Sequence, residues 1–554
     1  MHSTDTGGTA RFAAAGTDPT ERTGPTTRLE ARSRRWMVAS SHRLVSEVGA
    51  RVLADGGRAG DAALAMAAVS FVTLPAMCGI GGDAFCVWYD ASSGRYGAVQ
   101  GSGVGPDGAD AGYFASRGLQ AVPEAGPLSV SVPGGLAAIE TLHRQLATRP
   151  LADLWQPAAD LARDGVAVTA RLRGDIEAAV DKLSADEAAR AIFLPGGDVP
   201  ALGAALRQPD LATTIERLAG SPGDLYHGEM ARRCLEALRA GGAPYSGREW
   251  EETAAPVTAT VTGTYRGHVV HENPLPSQGY MLLQQAAILD GVMADLPWLS
   301  GPALAWLAGA AAVAFDDRRR LVGSDSGAWR ELLQPNAVSR ARSAIAAGSP
   351  LAATEGGGAG DTTSLVAVDS TGNAVSFIHS LAYTFGSGFA VPGTGVVLND
   401  RLGRGAYLDP RHPNGVRPGR RPMHTLNAWI VAGPTGHPVL VGGTPGGDGQ
   451  VQWNMQVLSH LLDHHVGPQR AVEAPRSTVF PGSDAGAIGS ALEIRAESRF
   501  GQDALADLRA RGLPVAVQGP WHGGGSAQVI EIDPVTGERR GGSDPRYDGI
   551  AIGG

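Results

Sequence analysis

Asp361-Thr-Thr-Ser-Leu-Val-Ala-Val-Asp369 and Ala374-Val-Ser-Phe-Ile-His-Ser-Leu381 are two β-rich stretches separated by the turn-like Ser370-Thr-Gly-Asn373. This arrangement predicts a β-hairpin, because strand-forming residues flank a short polar turn that contains glycine. The preceding stretch, 351–360, reads LAATEGGGAG and has no hydrophobic periodicity, which indicates an exposed flexible segment. The hairpin therefore begins abruptly after a glycine-rich segment.

The junction Gly360-Asp-Thr-Thr363 has a chemical consequence if the chain is cut before Thr362. An internal threonine hydroxyl is a poor nucleophile, but after such a cut the new α-amine lies beside the hydroxyl and can act as its base. No separate His or Lys base is then required. Taken alone, the junction is better explained by a threonine that begins a strand after a linker.

The composition excludes several classes of protein. Among 554 residues there are 78 glycines and one lysine, Lys182, which lies in the amphipathic pattern AAVDKLSADEAARA. We interpret Lys182 as a solvated helix residue, which excludes a P-loop and a pyridoxal phosphate enzyme because both need a lysine at the site. The net charge of −9 argues against a nucleic acid partner. We expect neither a cofactor nor a metal ion.

The N-terminal stretch and the hydropathy of the sequence lead us to expect a cytoplasmic protein. Residues 1–36 are polar, without a signal-peptide core, and we expect a disordered N-terminal tail. No stretch of 18 apolar residues occurs, so we expect no membrane span and a cytoplasmic location. Cys78, Cys86 and Cys234 fit no zinc or disulfide spacing and are predicted to be buried free thiols.

The order of elements predicts layers of sheets and helices. Helical periodicity begins near Ser41, and a hairpin formed by CVWYD and YGAVQ follows the glycine-rich run at Gly79. Residues 123–304 are predicted to be rich in helices. Strand hairpins at both ends with helices between them are typical of stacked sheets covered by helices.

Other motifs favour ordinary structural roles. Gly79–Ala84 and Gly103–Gly108 match the dinucleotide fingerprint but lack its strand-to-helix context. His460, His464 and His465 are interpreted as surface histidines at a helix end. In contrast, Thr444-Pro-Gly-Gly-Asp-Gly449 lies between a strand and a helix, an arrangement that presents backbone N–H groups to a developing oxyanion.

Seven segments together resemble the γ-glutamyltransferases and their relatives among the N-terminal-nucleophile hydrolases. They occur in the family's order and cover the chain from about Met37 to the C-terminus. The segments are MVASSHRLVSEVGARVLADGGRAGDAALA from Met37, CGIGGDAF from Cys78, DTTSLVAVDSTGNAVSFIHSLAYTFGSG from Asp361, RPMHTLN from Arg421, GGTPGGDGQ from Gly442, AVEAPR from Ala471 and GGSDPRYDG from Gly541.

The resemblance implies a precursor that cuts itself between Asp361 and Thr362. The products would be a large, helix-rich subunit (37–361, after the tail) and a small subunit (362–554), which stay together in one four-layer αββα sandwich. Thr362 matches the family's nucleophile, and Ser380 matches a residue that hydrogen-bonds the nucleophile. Gly446 and Gly447 match the oxyanion-hole glycines. We also consider a homodimer of processed heterodimers.

Departures from the family's pattern concern the substrate. Ser102 replaces the arginine of the R-E-x-A-P loop that holds the α-carboxylate, and Arg404 replaces an aspartate that binds the α-amine. The family's Ser-Ser pair appears as His424-Thr425. An arginine repels an amine at close range, which argues against a free γ-glutamyl head group. The pattern is closer to a side branch that includes oxamate amidohydrolase-like proteins, and Arg401 and Arg404 are candidate donors to a small acid.

Four functional hypotheses follow. The first is a self-processing N-terminal-threonine hydrolase that cleaves a small amide with an acidic acyl group, oxalyl-like or glutaryl-like, through an acyl-enzyme. The second keeps this machinery but cleaves a C–C bond to an oxalyl-like group in an actinobacterial antibiotic pathway. The third is a γ-glutamyl transferase or glutathione hydrolase. The fourth is a binding protein of this fold without activity.

Overall fold

The computed structural model describes residues 27–348, 361–482 and 492–554, with only the backbone of Asp361. Two seven-stranded sheets lie face to face, and helices cover both outer faces. This arrangement is the four-layer αββα sandwich, so the expected fold class is confirmed. The glycine-rich stretch 351–360 lies outside the described residues.

The strands are named in chain order. They are β1 (Ala31–Ser33), β2 (Met37–Ser40), β3 (Asp83–Asp90), β4 (Arg95–Gly101), β5 (Val166–Ala167), β6 (Ala205–Leu206), β7 (Val257–Thr258), β8 (Val261–Tyr265), β9 (His268–Glu272), β10 (Asp361–Val368), β11 (Ala374–Ala382), β12 (Ala390–Val391), β13 (Val396–Val397), β14 (Trp429–Ala432), β15 (Pro438–Gly443), β16 (Ser477–Phe480), β17 (Glu493–Glu497), β18 (Val515–Gln518), β19 (Gln528–Ile532), β20 (Arg539–Ser543) and β21 (Ala551–Gly553).

The α-helices of the described segments are named in the same way. They are α1 (Arg43–Ala54), α2 (Ala59–Thr73), α3 (Ala111–Ala115), α4 (Gly135–Leu146), α5 (Leu151–Asp164), α6 (Ala170–Ala178), α7 (Val180–Ser184), α8 (Glu187–Phe193), α9 (Pro209–Gly220), α10 (Asp224–His227), α11 (Glu229–Ala240), α12 (Arg248–Glu251), α13 (Gly279–Leu289), α14 (Gly301–Leu321), α15 (Trp329–Leu332), α16 (Pro335–Ala346), α17 (Arg401–Gly405), α18 (Gly449–Leu462), α19 (Pro468–Glu473) and α20 (Gln502–Ala510).

The two large sheets are antiparallel throughout. The first, called the Thr362 sheet, has the strand order β21-β2-β10-β11-β3-β4-β7, and the second, called the glycine-turn sheet, has the order β1-β20-β19-β15-β14-β9-β8. The predicted hairpin is the centre of the Thr362 sheet, where β10 pairs with β11. The CVWYD and YGAVQ hairpin is also confirmed, as β3 paired with β4.

Side-chain alternation along β10 fills two different parts of the core. Val366 and Val368 face the glycine-turn sheet and pack in the layer between the sheets. Leu365 and Ala367 face the other way, against the helical layer that includes α1, α2 and α5. Successive residues of a strand point to opposite faces, so a strand buried on both faces is apolar at nearly every position.

The expected N-terminal tail needs correction, whereas the middle of the chain is rich in helices as expected. Ordered structure begins before Met37, because β1 pairs with β20, and Arg28 donates to the carbonyls of Asp544 and Tyr547. Only residues 1–26 of the expected tail lie outside the described residues. The middle of the chain also contributes β8 and β9 to the glycine-turn sheet. These strands are short and partly exposed, so their sequences carry little hydrophobic signal.

Glu272, at the end of β9, has a buried carboxyl group that forms few hydrogen bonds. Its side chain is fully buried, Oε2 accepts the N–H of Asn273 at 3.1 Å, and Oε1 has no hydrogen-bond partner within the described residues. Burial raises the pKa of Glu272 well above its usual range. The folded state therefore keeps a proton on Glu272 that the unfolded chain releases near pH 4.3, the ordinary value for glutamate.

This linkage predicts a pH-dependent effect of Glu272→Gln. A raised folded-state pKa contributes stability that is fully present below the unfolded pKa and is lost as pH rises towards the folded one. We therefore expect the stability of Glu272→Gln relative to wild type to increase from pH 5 to pH 8, by at most about 1.4 kcal/mol per pH unit, the slope for one linked proton. Urea unfolding at both pH values measures this. A difference between the two proteins that does not change with pH would contradict it.

Candidate active site

Thr362 and Ser380 meet where β10 begins and β11 ends. Thr362 Oγ1 donates to Ser380 Oγ at 3.0 Å, and both side chains are about 1% exposed. The pairing is irregular here, because Asp361 opposes Ala382 and Thr363 opposes His379, so one β10 residue faces two on β11. Such a bulge re-aims side chains near a strand end. Asp361 and Thr362 are consecutive residues of β10, so the chain is described in its uncut form.

The glycines of CGIGGDAF allow a loop to pass close to this bulge. A Cβ on Gly82 would lie 2.4 Å from the carbonyl oxygen of Ser380, and one on Gly81 would lie 2.1 Å from that of Val397. No side chain fits at either distance, so both positions require glycine. The dinucleotide-like pattern is thus explained by close packing beside Ser380.

Gly446 and Gly447 form the turn between β15 and α18. Their φ values are +125° and +55°, a region that favours glycine. A Cβ on Gly446 would lie 2.0 Å from the ring of Trp453. β15 itself reaches the Thr362 sheet, because Ser376 Oγ donates to the carbonyl of Gly442 at 2.8 Å. The predicted strand–turn–helix arrangement is confirmed, and it lies at the same end of the sandwich as Thr362.

Arg404 links the bulge to this turn. Its Nη1 donates to the carbonyl of Ala382 at 2.9 Å, while Ala382 N–H donates to Ser380 Oγ at 2.8 Å. On the other side, a Cβ on Gly447 would lie 2.2 Å from Arg404 Nη2. The guanidinium also lies over the ring of Tyr383, and the side chain is buried. A fixed positive charge therefore lies between the Thr362–Ser380 pair and the glycine turn.

Asp83 is a site residue that the sequence analysis did not assign. It is the direct cross-strand partner of Ser380, so the two side chains share the face between the sheets. Its carboxylate accepts the N–H of Gly134 at 3.0 Å and lies 3.9 Å from Arg401 Nε. Its place in the CGIGGDAF segment was visible in the sequence, but its contact with Arg401 depends on the fold.

The ring of His424, which was expected to bind substrate, has both nitrogens engaged within the protein. Its Nε2 lies 2.9 Å from Asp83 Oδ2, and its Nδ1 accepts the N–H of Leu426 at 3.2 Å. An Nδ1 that accepts leaves the proton on Nε2, which donates to Asp83. Burial, reinforced by the charges of Arg401 and Arg404, lowers the pKa of His424 well below its usual range. Both nitrogens of this neutral ring are engaged, so the ring orients Asp83 and has no nitrogen left for a substrate.

Ser102 and Thr425 provide hydroxyl groups that lack partners. Ser102 Oγ and Thr425 Oγ1 are both buried, and neither forms a hydrogen bond with any described part of the chain. Both lie next to residues that surround Asp83: Thr425 follows His424, and a Cβ on Gly134 would lie 2.4 Å from the Ser102 nitrogen. Buried hydroxyls are normally hydrogen-bonded, so these two are candidate partners for a polar ligand.

The electrostatic balance of the region is positive. Burial raises the pKa of Asp83 to about 7 and that of Asp400 to about 6, although nearby cations oppose both shifts. Lys182, Arg401 and Arg404 are the cations that act on Asp400. Three cations against two weakened acids favour a negatively charged ligand.

Lys182 is not the solvated residue that the sequence predicted. Its Nζ donates to the carbonyls of Thr384 and Gly386, each at 3.0 Å. A Cβ on Gly388 would lie 2.4 Å from Lys182 Cγ, so the side chain packs along the loop that follows β11. The amphipathic pattern located its helix, α7, but the loop that covers the side chain comes from residues two hundred positions away.

The structure also shows the surroundings of the remaining histidine and cysteine motifs. His460 is buried, and Trp298 Nε1 donates to its Nδ1 at 3.0 Å, so it is a core residue and not a surface one. Within the three described segments, no group of three or more His, Cys, Asp or Glu side chains is arranged to hold a metal ion. The three cysteines are buried and free, as predicted. No described helix is long and apolar enough to cross a lipid bilayer.

Comparisons with known proteins agree with this fold. A sequence model described as gamma-glutamyltranspeptidase matches residues 45–554. The chain is 31% identical over 532 residues to the oxamate amidohydrolase proenzyme of Klebsiella pneumoniae, covering 93% of this chain and 98% of the relative. It is 30% identical over 527 residues to the glutathione hydrolase-like YwrD proenzyme of Bacillus subtilis, with coverage of 93% and 98%.

A solved structure extends the comparison to the fold. The cephalosporin acylase from Bacillus halodurans superimposes with a TM-score of 0.85 at 28% identity, covering 98% of this chain and 99% of the acylase. The sandwich and these relatives place the chain in the class of N-terminal-nucleophile hydrolases. The chain belongs to the γ-glutamyltranspeptidase family.

Proposed function

We propose that the protein cuts itself between Asp361 and Thr362 and then hydrolyses a small amide whose acyl part is acidic, oxalyl-like or glutaryl-like. The observation that carries the proposal is the position of Arg404, which contacts both the bulge at Ser380 and the turn at Gly447. A buried guanidinium there favours a carboxylate beside the scissile carbonyl. It also disfavours the free amine of a γ-glutamyl group.

Self-cleavage uses the hydroxyl of Thr362. Its oxygen attacks the carbonyl carbon of Asp361, the C–N bond breaks, and the Thr362 nitrogen takes up the proton, which leaves an ester. Water hydrolyses this ester to the carboxylate of Asp361 and the free amine of Thr362. The 3.0 Å hydrogen bond to Ser380 holds the hydroxyl in place before attack.

Turnover repeats the same chemistry on the substrate. The α-amine of Thr362 accepts the hydroxyl proton as the oxygen attacks the substrate carbonyl, and then passes it to the leaving amine. The N–H groups of Gly446 and Gly447 stabilise the oxyanion. Water then releases the acid from the acyl-enzyme. Ser102, Thr425 and Arg401 line the acyl part of the substrate in this proposal.

A substrate panel tests the proposed class. Processed enzyme is incubated with oxamate, glutaryl amides and a γ-glutamyl anilide, and the release of ammonia or amine is measured. We expect the acidic amides without an α-amine to be cleaved fastest. Preferential cleavage of the γ-glutamyl compound, or its transfer to a dipeptide acceptor, would contradict the proposed substrate class.

Arg404→Lys tests how the charge is used. Lysine keeps the charge but loses the planar pair of donors. We expect KM for the acidic amide to rise about 10- to 100-fold, because a hydrogen bond to a charged group is worth about 1.5–3 kcal/mol. Arg411→Lys is the matched control, since the Arg411 side chain is 90% exposed on the same segment. An unchanged KM in Arg404→Lys would contradict a role in carboxylate binding.

A further inference from the structure

The side chain of Gln278 joins two segments of the site. Its Nε2 donates to the carbonyl oxygen of Thr425 at 3.0 Å and to that of Gly447 at 3.3 Å. Gln278 is completely buried and directly precedes helix α13. One amide group therefore ties the segment that carries the unsatisfied Thr425 hydroxyl to the turn that carries the two glycine N–H groups.

Arg318 determines which way this amide faces. Its Nη1 donates to Gln278 Oε1, and the same nitrogen lies 3.3 Å from Asp448 Oδ1. A guanidinium has only donors, so the amide oxygen must face it, and the amide nitrogen then faces the two carbonyls. Arg318 is buried on α14, which packs in one hydrophobic cluster with α13. Two helices of the outer layer thus support the arrangement.

The Gly447 carbonyl needs the hydrogen bond from Gln278 because a glycine backbone is conformationally free. Gly447 has a φ of +55° and no side chain to limit its motion. Its carbonyl also accepts the backbone N–H of Gln450 at 3.2 Å, in the first turn of the following helix. The bond from Gln278 adds a second constraint from outside the turn. Thr425 has an independent one, since Asn427 Nδ2 donates to its carbonyl at 3.1 Å.

We propose that Gln278, oriented by Arg318, is a positioning residue that keeps the Gly446–Gly447 turn aimed at the developing oxyanion. The inference rests on the proposed function of this turn. Gln278 does not contact the substrate in this proposal. Loss of the tether should therefore reduce kcat more than it changes KM, since only the transition state carries the full negative charge.

Two substitutions of Gln278 test the tether. Gln278→Glu keeps the shape and the contact with Arg318 but places an acceptor against two carbonyl oxygens. Gln278→Met removes both donors without adding repulsion, so it remains informative if the glutamate variant does not fold. In both we expect kcat to fall about 10-fold or more, because a misplacement of about 1 Å can cost 10²-fold. The change in KM should be smaller than the change in kcat.

Gln285→Glu is the matched control. Gln285 is buried on α13, the helix that Gln278 precedes, and its Nε2 donates to two backbone carbonyls, those of Met281 at 3.1 Å and Val451 at 3.4 Å. Gln285→Glu should lose about as much stability as the Gln278 variants but keep the wild-type kcat per processed chain. Wild-type kcat in both Gln278 variants, or an equal loss in Gln285→Glu, would overturn the inference. Failure of the proposed function is recognised separately, as a wild-type chain that is neither cut nor active.

Discussion

Thr362→Ala should give a single uncut chain of 56.9 kDa with no measurable turnover, whereas wild type should separate into two chains on a denaturing gel. The substitution removes the oxygen that attacks both Asp361 and the substrate. Losing a nucleophile of this kind costs on the order of 10⁴-fold or more in kcat. Mass spectrometry of the small chain should find Thr362 at its N-terminus.

The neighbouring threonine provides the control. Thr363 is 2% exposed, belongs to the same strand and undergoes the same chemical change in Thr363→Ala, but alternation directs its side chain to the opposite face. This variant should still be cut and active. A small chain beginning at residue 362 in Thr362→Ala, or an uncut wild-type chain, would refute self-cleavage by Thr362.

Gly446→Ala should be processed poorly or, once processed, turn over slowly. The added Cβ meets the Trp453 ring at 2.0 Å, and a φ of +125° is unfavourable for alanine. The turn must shift, which moves the two N–H groups away from the oxyanion. Removal of one oxyanion-hole donor costs about 10²- to 10³-fold in kcat, and we expect a loss of this size per processed chain.

Gly436→Ala is the control that separates the loss of kcat in Gly446→Ala from the effect of replacing any glycine of positive φ. Gly436 also has a positive φ, +82°, but it lies in the turn between β14 and β15, and a Cβ there would meet nothing within 4 Å. We expect it to cost about 1 kcal/mol of stability and to leave kcat unchanged. If Gly446→Ala retained wild-type kcat, the turn would not be the oxyanion site.

Local sequence patterns were sufficient for the elements that carry the chemistry. The β-rich pattern around Ser370–Asn373 predicted the β10–β11 hairpin, and the glycines after a strand predicted the turn before α18. Such patterns depend on residues a few positions apart. β1, β8 and β9 were missed because short, partly polar strands are stabilised by their neighbours in the sheet and carry no strong pattern of their own.

Burial explains the residues that were interpreted wrongly. Lys182 and His460 lie in polar or amphipathic patterns typical of exposed positions, yet both are covered by distant segments. His424 was expected to face a substrate, but its ring binds Asp83. None of these partners is near in sequence, and a side chain's surroundings cannot be read from a helical period.

The sequence by itself determined the position of the Thr362 hairpin and of the glycine turn, because strand alternation and turn chemistry are local, and the resemblance of its motifs to a known family implied the αββα class. The tertiary structure alone decided that Asp83 lies beside Ser380, that Arg404 contacts Gly447, and that Gln278 ties Gly447 to Thr425. These contacts join residues that lie from 43 to 297 positions apart in the chain. They exist only in the folded chain, because the packing of the two sheets and their helices brings these separate segments together.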